Sequence, residues 1–145
     1  MVKIYVSSVV DAPAERVWER LRDFNAMPKW HPGIADSRIE GNLPADKIGC
    51  IRNFHTRDGG QIRERLLALS DYDLSCTYGI LESPMGVDNY VAKLSLTPVT
   101  DGNVTFAEWE AEFDCQPERE AALVQQIGAG VFQAAFSALK QRFGR

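Results

Sequence analysis

The chain has 145 residues, of which 45% are hydrophobic and 25% are charged, and these values predict one globular domain rather than a disordered chain. Its 20 acidic residues outnumber its 16 basic residues, for a net charge of −4, and no segment concentrates basic side chains as nucleic-acid binding requires. The composition therefore excludes a basic nucleic-acid-binding protein and favours one that handles a small or neutral molecule.

The N-terminal residues 2–10 alternate between apolar and polar side chains and are rich in β-branched residues, which predicts a strand. The same alternation is unlike the apolar core of a signal peptide. No stretch reaches 18 consecutive apolar residues, so no membrane span is predicted either. The expected location is the cytoplasm.

Two short helices are predicted after this strand. Pro13 falls in the first turn of the first helix. One face of that helix is apolar and consists of Val17, Trp18, Leu21 and Phe24. The second helix is predicted over residues 25–30, and Pro32 ends it. Both helices are too short to bury a core alone, so they must pack on a larger element.

Six further strands are predicted over residues 34–40, 48–56, 61–70, 74–82, 89–97 and 103–114. Turn sequences separate them, among them RDGG at 57–60 and TDGN at 100–103. Short strands at regular spacing predict an antiparallel meander, which has seven strands when residues 2–10 are included.

A long helix is predicted from Pro117 to residue 143. Its apolar stripe is expected to contain Val124, Ile127, Val131, Ala135, Ala138 and Leu139, widened by Phe132, Phe136 and Phe143. The GAG sequence at 128–130 has two interpretations: close packing on the sheet, or room left for a ligand. The predicted fold is α+β, with a strongly curved antiparallel sheet around this helix.

Strand alternation predicts which side chains face the helix. In the last strand, Trp109, Ala111 and Phe113 share the inward face, and the row Glu108, Glu110 and Glu112 is expected to face solvent rather than bind a metal. The inward set of residues 48–56 is Ile48, Cys50, Arg52 and Phe54. The inward set of residues 61–68 is Ile62, Glu64, Leu66 and Ala68.

Arg52 and Glu64 are the ionisable members of two otherwise apolar sets, and the 57–60 hairpin brings their strands together. Three interpretations stay open: an anchor for a polar ligand group, a structural ion pair, or a frame in which both face solvent. Tyr78 and Tyr90 are likewise either core residues or residues that position a ligand.

Other chemistry has little support in the sequence. The cysteines Cys50, Cys76 and Cys115 are odd in number and lack CxxC spacing, so reduced thiols are expected rather than disulfides or a zinc site. His55 is expected to face solvent, and His31 has no neighbouring histidine or cysteine to share a metal. No nucleophile elbow is present. We predict no metal and no cofactor.

Several segments together carry a family resemblance: APAERVW at 12–18, DFNAMPKWHP at 23–32, residues 48–71, residues 78–98 and AEWEAEFD at 107–114. With them the chain resembles the SRPBCC (START/birch-allergen-like) superfamily, most of all its bacterial polyketide cyclase/dehydrase and lipid-transport family. The resemblance implies a helix-grip fold, in which a seven-stranded antiparallel sheet wraps the C-terminal helix around a cavity for hydrophobic molecules.

Residues GCIR and ERLLALSD also resemble strands of plant abscisic acid receptors, distant members of that superfamily. The resemblance implies that Glu64 and Tyr90 match polar pocket residues and that Arg52 lies beside them. The lysine that receives the ligand carboxylate there is replaced by Ala35 in this sequence. The RDGGQ loop lacks the receptors' gate sequence, so gated co-receptor binding is not implied.

The function expected first is binding or carriage of a small hydrophobic molecule by a monomer or homodimer. The predicted ligand-binding residues are Arg52, Phe54, Glu64, Leu66, Tyr78, Tyr90, Trp109, Ile127 and Val131. The alternative is a cyclase or dehydratase in which Glu64 transfers a proton and Tyr90 or Arg52 steadies an enolate oxygen. No catalytic residue is assigned beyond that alternative. An interaction protein with an incidental cavity is the third possibility.

Overall fold

The computed structural model describes residues 1–143 of the chain. Seven strands run in chain order: β1 (Val2–Val10), β2 (Ile34–Ile39), β3 (Ile51–Thr56), β4 (Gln61–Ser70), β5 (Ser75–Glu82), β6 (Asp88–Val99) and β7 (Val104–Asp114). Helix α1 (Ala14–Leu21) follows β1, and single 3-10 turns occupy Met27–Lys29 and Glu40–Asn42.

The seven strands form one antiparallel sheet in the order β1-β7-β6-β5-β4-β3-β2. Strands β1 and β2 are therefore the two edges, although they follow each other in the chain, and α1 lies in the connection between them. The C-terminal helix (Pro117–Phe143) packs on the concave face of this sheet. This is the predicted helix-grip architecture, and it is confirmed.

The predicted second helix is wrong in extent. Only Met27–Lys29 form a 3-10 turn there, and the Trp30 and His31 N–H groups both donate to the Met27 carbonyl. Pro28 lies in the first turn, where a missing N–H costs no hydrogen bond, and Pro32 ends the run, so the segment has room for a single turn. The turn nevertheless packs beside the edge strand β2, and its Met27 side chain is buried in the core.

Strand β3 begins three residues later than predicted. Gly49 adopts a φ of +94°, and the Cys50 N–H donates to the Lys47 carbonyl, so residues 47–50 form a turn. Ile48 precedes the strand and is 53% exposed, so its predicted inward position is wrong. The inward positions of Cys50, Arg52 and Phe54 are correct.

A bulge in β4 corrects the prediction for Ala68. Leu66 pairs with Tyr78, but Ala68 pairs with Thr77, so Leu67 is an extra residue in the register. The alternation shifts by one at this point, and Ala68 faces solvent. In β7 the alternation is unbroken: Trp109 and Phe113 are buried, and the glutamates between them lie on the outer face.

The C-terminal helix is continuous but not α-helical throughout. After a 3-10 turn at Pro117–Arg119, α2 (Glu120–Ile127) and α3 (Ala134–Phe143) flank a π-helical turn at Gly128–Gln133. The fully buried residues are Leu123, Ile127, Phe132, Ala135, Phe136 and Leu139. Val124 is 39% exposed, so the predicted stripe is wrong at its N-terminal end.

The two glycines of the π turn have different surroundings. One bears on the interpretation of the GAG sequence as packing on the sheet, and the other on its interpretation as room for a ligand. A methyl group on Gly128 would lie 3.6 Å from Ile4 of β1, so this glycine packs closely on the sheet. A methyl group on Gly130 would meet nothing within 4 Å, and Gly130 lines the cavity described below. Each glycine thus satisfies one interpretation.

The C-terminal helix is also long and apolar enough to cross a membrane, judged by length and composition alone. The core helix of a soluble protein meets the same criterion, and here the apolar residues of the helix pack on the sheet. The helix is therefore accounted for as the core element of the fold.

Candidate functional site

A cavity of about 400 Å³ lies between the concave face of the sheet and the C-terminal helix. This is within the size range of small-molecule sites. Eight of the nine predicted ligand-binding residues line it: Arg52, Phe54, Glu64, Tyr78, Tyr90, Trp109, Ile127 and Val131. Leu66 does not line it, because its side chain is fully enclosed in the core. Whether the eight bind a ligand stays a prediction.

Arg52 and Glu64 form a buried ion pair in the wall of the cavity. They are direct partners in the β3–β4 register. Arg52 Nε and Nη2 lie 2.8 and 2.6 Å from Glu64 Oε1, and each side chain is 7% exposed. The possibility that both face solvent is thereby excluded.

The Arg52 guanidinium is satisfied from several sides. Its Nη1 donates to the Phe24 carbonyl at 3.2 Å. The guanidinium carbon lies 3.9 Å from the centre of the Phe24 ring and 4.8 Å from that of Tyr78. Aromatic faces attract cations, and the attraction grows where water is absent. The arginine is therefore held as a fixed part of the cavity wall.

Burial raises the pKa of the Glu64 carboxyl, and the positive charge and hydrogen bond of Arg52 oppose that rise. A carboxylate enclosed in this way is a stronger proton acceptor than one in water. Because it faces a cavity, it can act on a bound molecule by hydrogen bonding or by proton transfer.

Two tyrosines extend the polar part of the wall. The Trp109 indole N–H donates to the Tyr78 hydroxyl at 3.0 Å, and the Tyr90 ring stacks on Phe113 with centres 5.7 Å apart. Burial raises the pKa of both tyrosines, with nearby Glu64 adding to the effect. Both hydroxyls therefore stay protonated and serve as hydrogen-bonding groups.

Trp109 forms the apolar centre of the cavity. Its ring stacks on Phe132 of the C-terminal helix, with centres 4.3 Å apart, and meets Phe136 edge-on at 5.9 Å. Trp30 lies 6.1 Å away on another side. The indole thus joins the sheet to the helix, as the alternation along β7 predicted.

His31 is a lining residue that the sequence reasoning missed, since it considered this histidine only as a metal ligand. It is 3% exposed, and its Nδ1 accepts a hydrogen bond from the Gly33 N–H at 3.0 Å. Its Nε2 is buried without a hydrogen-bond partner among the described residues. Burial lowers the pKa of His31 to about 4. The positive charge of Arg52 lowers this pKa further, and the Val131 backbone opposes the decrease.

A sequence signal for the burial of His31 did exist. Met27, Trp30, His31 and Ile34 are all buried. Their spacing of three, four and seven residues is the spacing of one helical face. That pattern predicts that His31 faces the core with its apolar neighbours.

The cavity opens where exposed residues join its lining, among them Arg57, Asp58, Pro84, Gln126 and Gly130. Arg57 is fixed there, since its Nε donates to the Pro32 carbonyl at 2.8 Å and its N–H to the Gly33 carbonyl at 2.9 Å. The mouth thus lies between the β3–β4 hairpin, the β5–β6 loop and the π turn.

Ala35 faces solvent and is not among the lining residues. Cys50 and Cys76 are buried free thiols, and Cys115 is a half-buried one. Burial raises the pKa of Cys76 to about 11, so this thiol is not a ready nucleophile. Among residues 1–143, no three His, Cys, Asp or Glu side chains are placed to hold a metal ion.

Comparison with known proteins relates this architecture to solved structures. A Thermobifida fusca protein solved by NMR in solution is 32% identical, with a TM-score of 0.89 over 100% of this chain and 95% of that one. The protein XoxI from Bacillus cereus is 27% identical, with a TM-score of 0.87 over 99% and 96%. A START superfamily protein from Mycobacterium smegmatis is 14% identical, with a TM-score of 0.80 over 97% and 96%, a likeness in fold.

At the level of sequence, residues 1–144 match the family described as polyketide cyclase / dehydrase and lipid transport. This match covers every strand, the C-terminal helix and all the residues that line the cavity. The chain therefore belongs to the polyketide cyclase/dehydrase and lipid transport family.

Proposed function

We propose that the protein binds or carries a small, largely apolar molecule in the cavity between the sheet and the C-terminal helix. One observation carries the proposal: a cavity of about 400 Å³ has mainly apolar walls and one buried ion pair, Arg52–Glu64. Apolar area supplies affinity in such sites, and a few fixed polar groups orient the ligand. Because all three cysteines are free thiols, the reducing cytoplasm is the location we propose.

Native mass spectrometry of freshly purified protein is the direct test, with a co-purified small molecule as the expected result. A titration with N-phenyl-1-naphthylamine, a neutral fluorescent probe, complements it. The probe should bind saturably with one molecule per chain, and its fluorescence should rise as it leaves water. Protein that carries no molecule and leaves the probe's fluorescence unchanged would contradict the proposal.

A second candidate function rests on Glu64. Its carboxyl is buried, its pKa is raised, and it lines the cavity together with Tyr90. A cyclase or dehydratase needs such a base beside a carbonyl substrate, together with a donor for the enolate oxygen. The Tyr90 hydroxyl or Arg52 would be that donor.

The Glu64→Gln variant separates these functions, since it keeps the side-chain shape and removes the charge. A carrier should keep its ligand with a modest change in affinity. An enzyme that uses Glu64 for proton transfer should lose turnover by roughly 10²–10⁴-fold while still binding its substrate. Unchanged turnover in this variant would rule out Glu64 as the acid or base.

A further inference from the structure

The polar groups of the cavity are not equally free to meet a ligand. Arg52 directs Nε and Nη2 to Glu64 Oε1 and Nη1 to the Phe24 carbonyl. Two aromatic rings, Phe24 and Tyr78, lie against its guanidinium. A ligand carboxylate could take Arg52 as its partner only by displacing Glu64, which would leave a buried carboxylate unpaired.

Glu64, in contrast, has a carboxylate oxygen that Arg52 does not contact. Both contacts from Arg52 go to Oε1, and within residues 1–143 Arg52 is the only hydrogen-bond donor that acts on this carboxylate. The second oxygen, Oε2, is therefore left as an acceptor on a residue that lines the cavity. A ligand that donates to this oxygen would form a charge-assisted hydrogen bond, which is stronger than one between neutral groups.

Hydroxyl groups belong to the same cavity wall, since Tyr78 and Tyr90 line the cavity together with Glu64. The indole N–H of Trp109 can only donate, so the Tyr78 oxygen accepts it and keeps its own proton to give. Tyr90 lies close enough to Tyr78 for that hydroxyl to act on it, and Glu64 lies close enough for its charge to act too. Tyr90 lines the cavity, so its hydroxyl is then the last donor in the series.

We propose that the cavity selects a neutral molecule carrying a hydroxyl group, which donates to Glu64 Oε2 and accepts from the Tyr90 hydroxyl, and that it rejects a carboxylate at the same place. A phenol, enol or alcohol has the required donor and acceptor on one atom. A carboxylate has acceptors only, and it would face Glu64 without a free cation. The other charged lining residues, Arg57 and Asp58, lie at the exposed mouth and have opposite signs.

This inference rests on the proposed binding function, and three matched probes test it. Naphthalene, 2-naphthol and 2-naphthoate share one ring system, and at pH 7 the naphthol is neutral while the naphthoate is ionised. Each is titrated against bound N-phenyl-1-naphthylamine, whose displacement gives the affinity. We expect 2-naphthol to bind about tenfold more tightly than naphthalene, although it is less hydrophobic, and about tenfold more tightly than 2-naphthoate.

Two variants trace the preference to Glu64. In Glu64→Gln the partner of Arg52 is neutral, so the preference for 2-naphthol over 2-naphthoate should shrink to less than about threefold or reverse. In Arg52→Met/Glu64→Leu both charges are gone, so 2-naphthol should lose its advantage over naphthalene while naphthalene still binds. If neither variant folds, the affinities of the three probes for the unmodified protein still test whether the cavity prefers a neutral hydroxyl to a carboxylate.

Naphthalene binding as tight as 2-naphthol binding, or tighter binding of 2-naphthoate, would overturn the inference while leaving the binding function intact. Unchanged selectivity in Glu64→Gln would overturn the role given to Glu64 Oε2. If N-phenyl-1-naphthylamine and all three probes fail to bind, the proposed function falls, and this inference falls with it.

Discussion

Ile127 and Phe132 are five residues apart in the C-terminal helix, yet both are fully buried against the same sheet. In an α-helix five residues turn the chain by roughly 500°, which would place the second side chain about 140° away from the first. The π turn at Gly128–Gln133 absorbs the extra residue and keeps both on one face. π-Helical turns of this kind are frequent at functional sites, and this one carries part of the cavity wall.

Deletion of Ala129 should therefore be tolerated better than deletion elsewhere in the helix. Ala129 is exposed, and its loss would convert the π turn to an α-helical turn with Ile127 and the former Phe132 four residues apart. Deletion of Ser137, also exposed, is the matched control. It would rotate Leu139 by roughly 100° away from the sheet and cost at least about 2 kcal/mol. Urea denaturation of both variants measures the difference, and equal losses of stability would contradict this account of the π turn.

A double-mutant cycle on Arg52 and Glu64 should show strong coupling. Arg52→Met or Glu64→Leu alone leaves one buried charge unpaired and should cost about 3–5 kcal/mol. The double variant removes both charges and should come within about 1 kcal/mol of the unmodified protein or exceed it. The coupling energy from urea denaturation, the sum of the single losses minus the double loss, should then be at least about 5 kcal/mol. A value near zero would mean that the two side chains do not depend on each other.

The Arg52–Glu64 pair could be predicted from the sequence because a short hairpin fixes its own register. The turn at 57–60 places each residue of β3 opposite one of β4, and alternation turns both side chains to the same face. The inward positions of Trp109 and Phe113 followed from the same alternation along an unbroken strand.

Two of the failures, at Ala68 and at Val124, share a physical cause, which is one extra residue in a periodic pattern. Leu67 interrupts β4 as a bulge and turns Ala68 outward, and the π turn shifts the helical stripe from Val124 to Leu123. Such insertions leave composition and local propensity unchanged, so periodicity counted from one end goes out of phase beyond them. For His31 the helical spacing was present in the sequence, although the segment forms only a short 3-10 turn.

Replacement of Trp109 should separate its packing from its hydrogen bond. Trp109 is 2% exposed and stacks on Phe132, so Trp109→Ala should cost about 3–5 kcal/mol. Trp109→Phe keeps a ring against the helix and loses the donor to Tyr78, so it should cost distinctly less. Thermal or urea unfolding checks both values. Equal costs for the two variants would contradict the view that a ring stacked on Phe132 supplies most of the stability at this position.

The two glycines of the π turn should respond differently to the same substitution. Gly130→Leu places a side chain at the mouth of the cavity, where nothing lies within 4 Å of the new Cβ, so stability should be retained and N-phenyl-1-naphthylamine binding weakened. Gly128→Leu is the matched control, since its Cβ would already lie 3.6 Å from Ile4 and the longer side chain would be forced into the sheet. That variant should lose about 1–3 kcal/mol. Undiminished probe binding in Gly130→Leu would show that the probe does not contact the mouth of the cavity at this residue.

His31 should make the fold less stable as the pH falls from 7 to 5. Its pKa of about 4 in the folded protein lies below the ordinary value of 6.5, so over this interval the unfolded chain binds a proton that the folded protein does not. The free energy of unfolding therefore rises with pH, and this histidine accounts for a loss of about 2 kcal/mol between pH 7 and pH 5.

The variant His31→Asn isolates that contribution. It keeps a side-chain acceptor for the Gly33 N–H and removes the titrating ring, so its stability should fall less than that of the unmodified protein over the same interval. Other groups, such as Glu64 with its raised pKa, contribute equally to both proteins and cancel in the comparison. His55→Asn keeps His31 and should keep the loss that belongs to it. Urea denaturation at pH 7 and pH 5 provides the measurement. If the unmodified protein and His31→Asn lose the same stability, His31 takes up its proton as readily in the folded protein as in the unfolded chain.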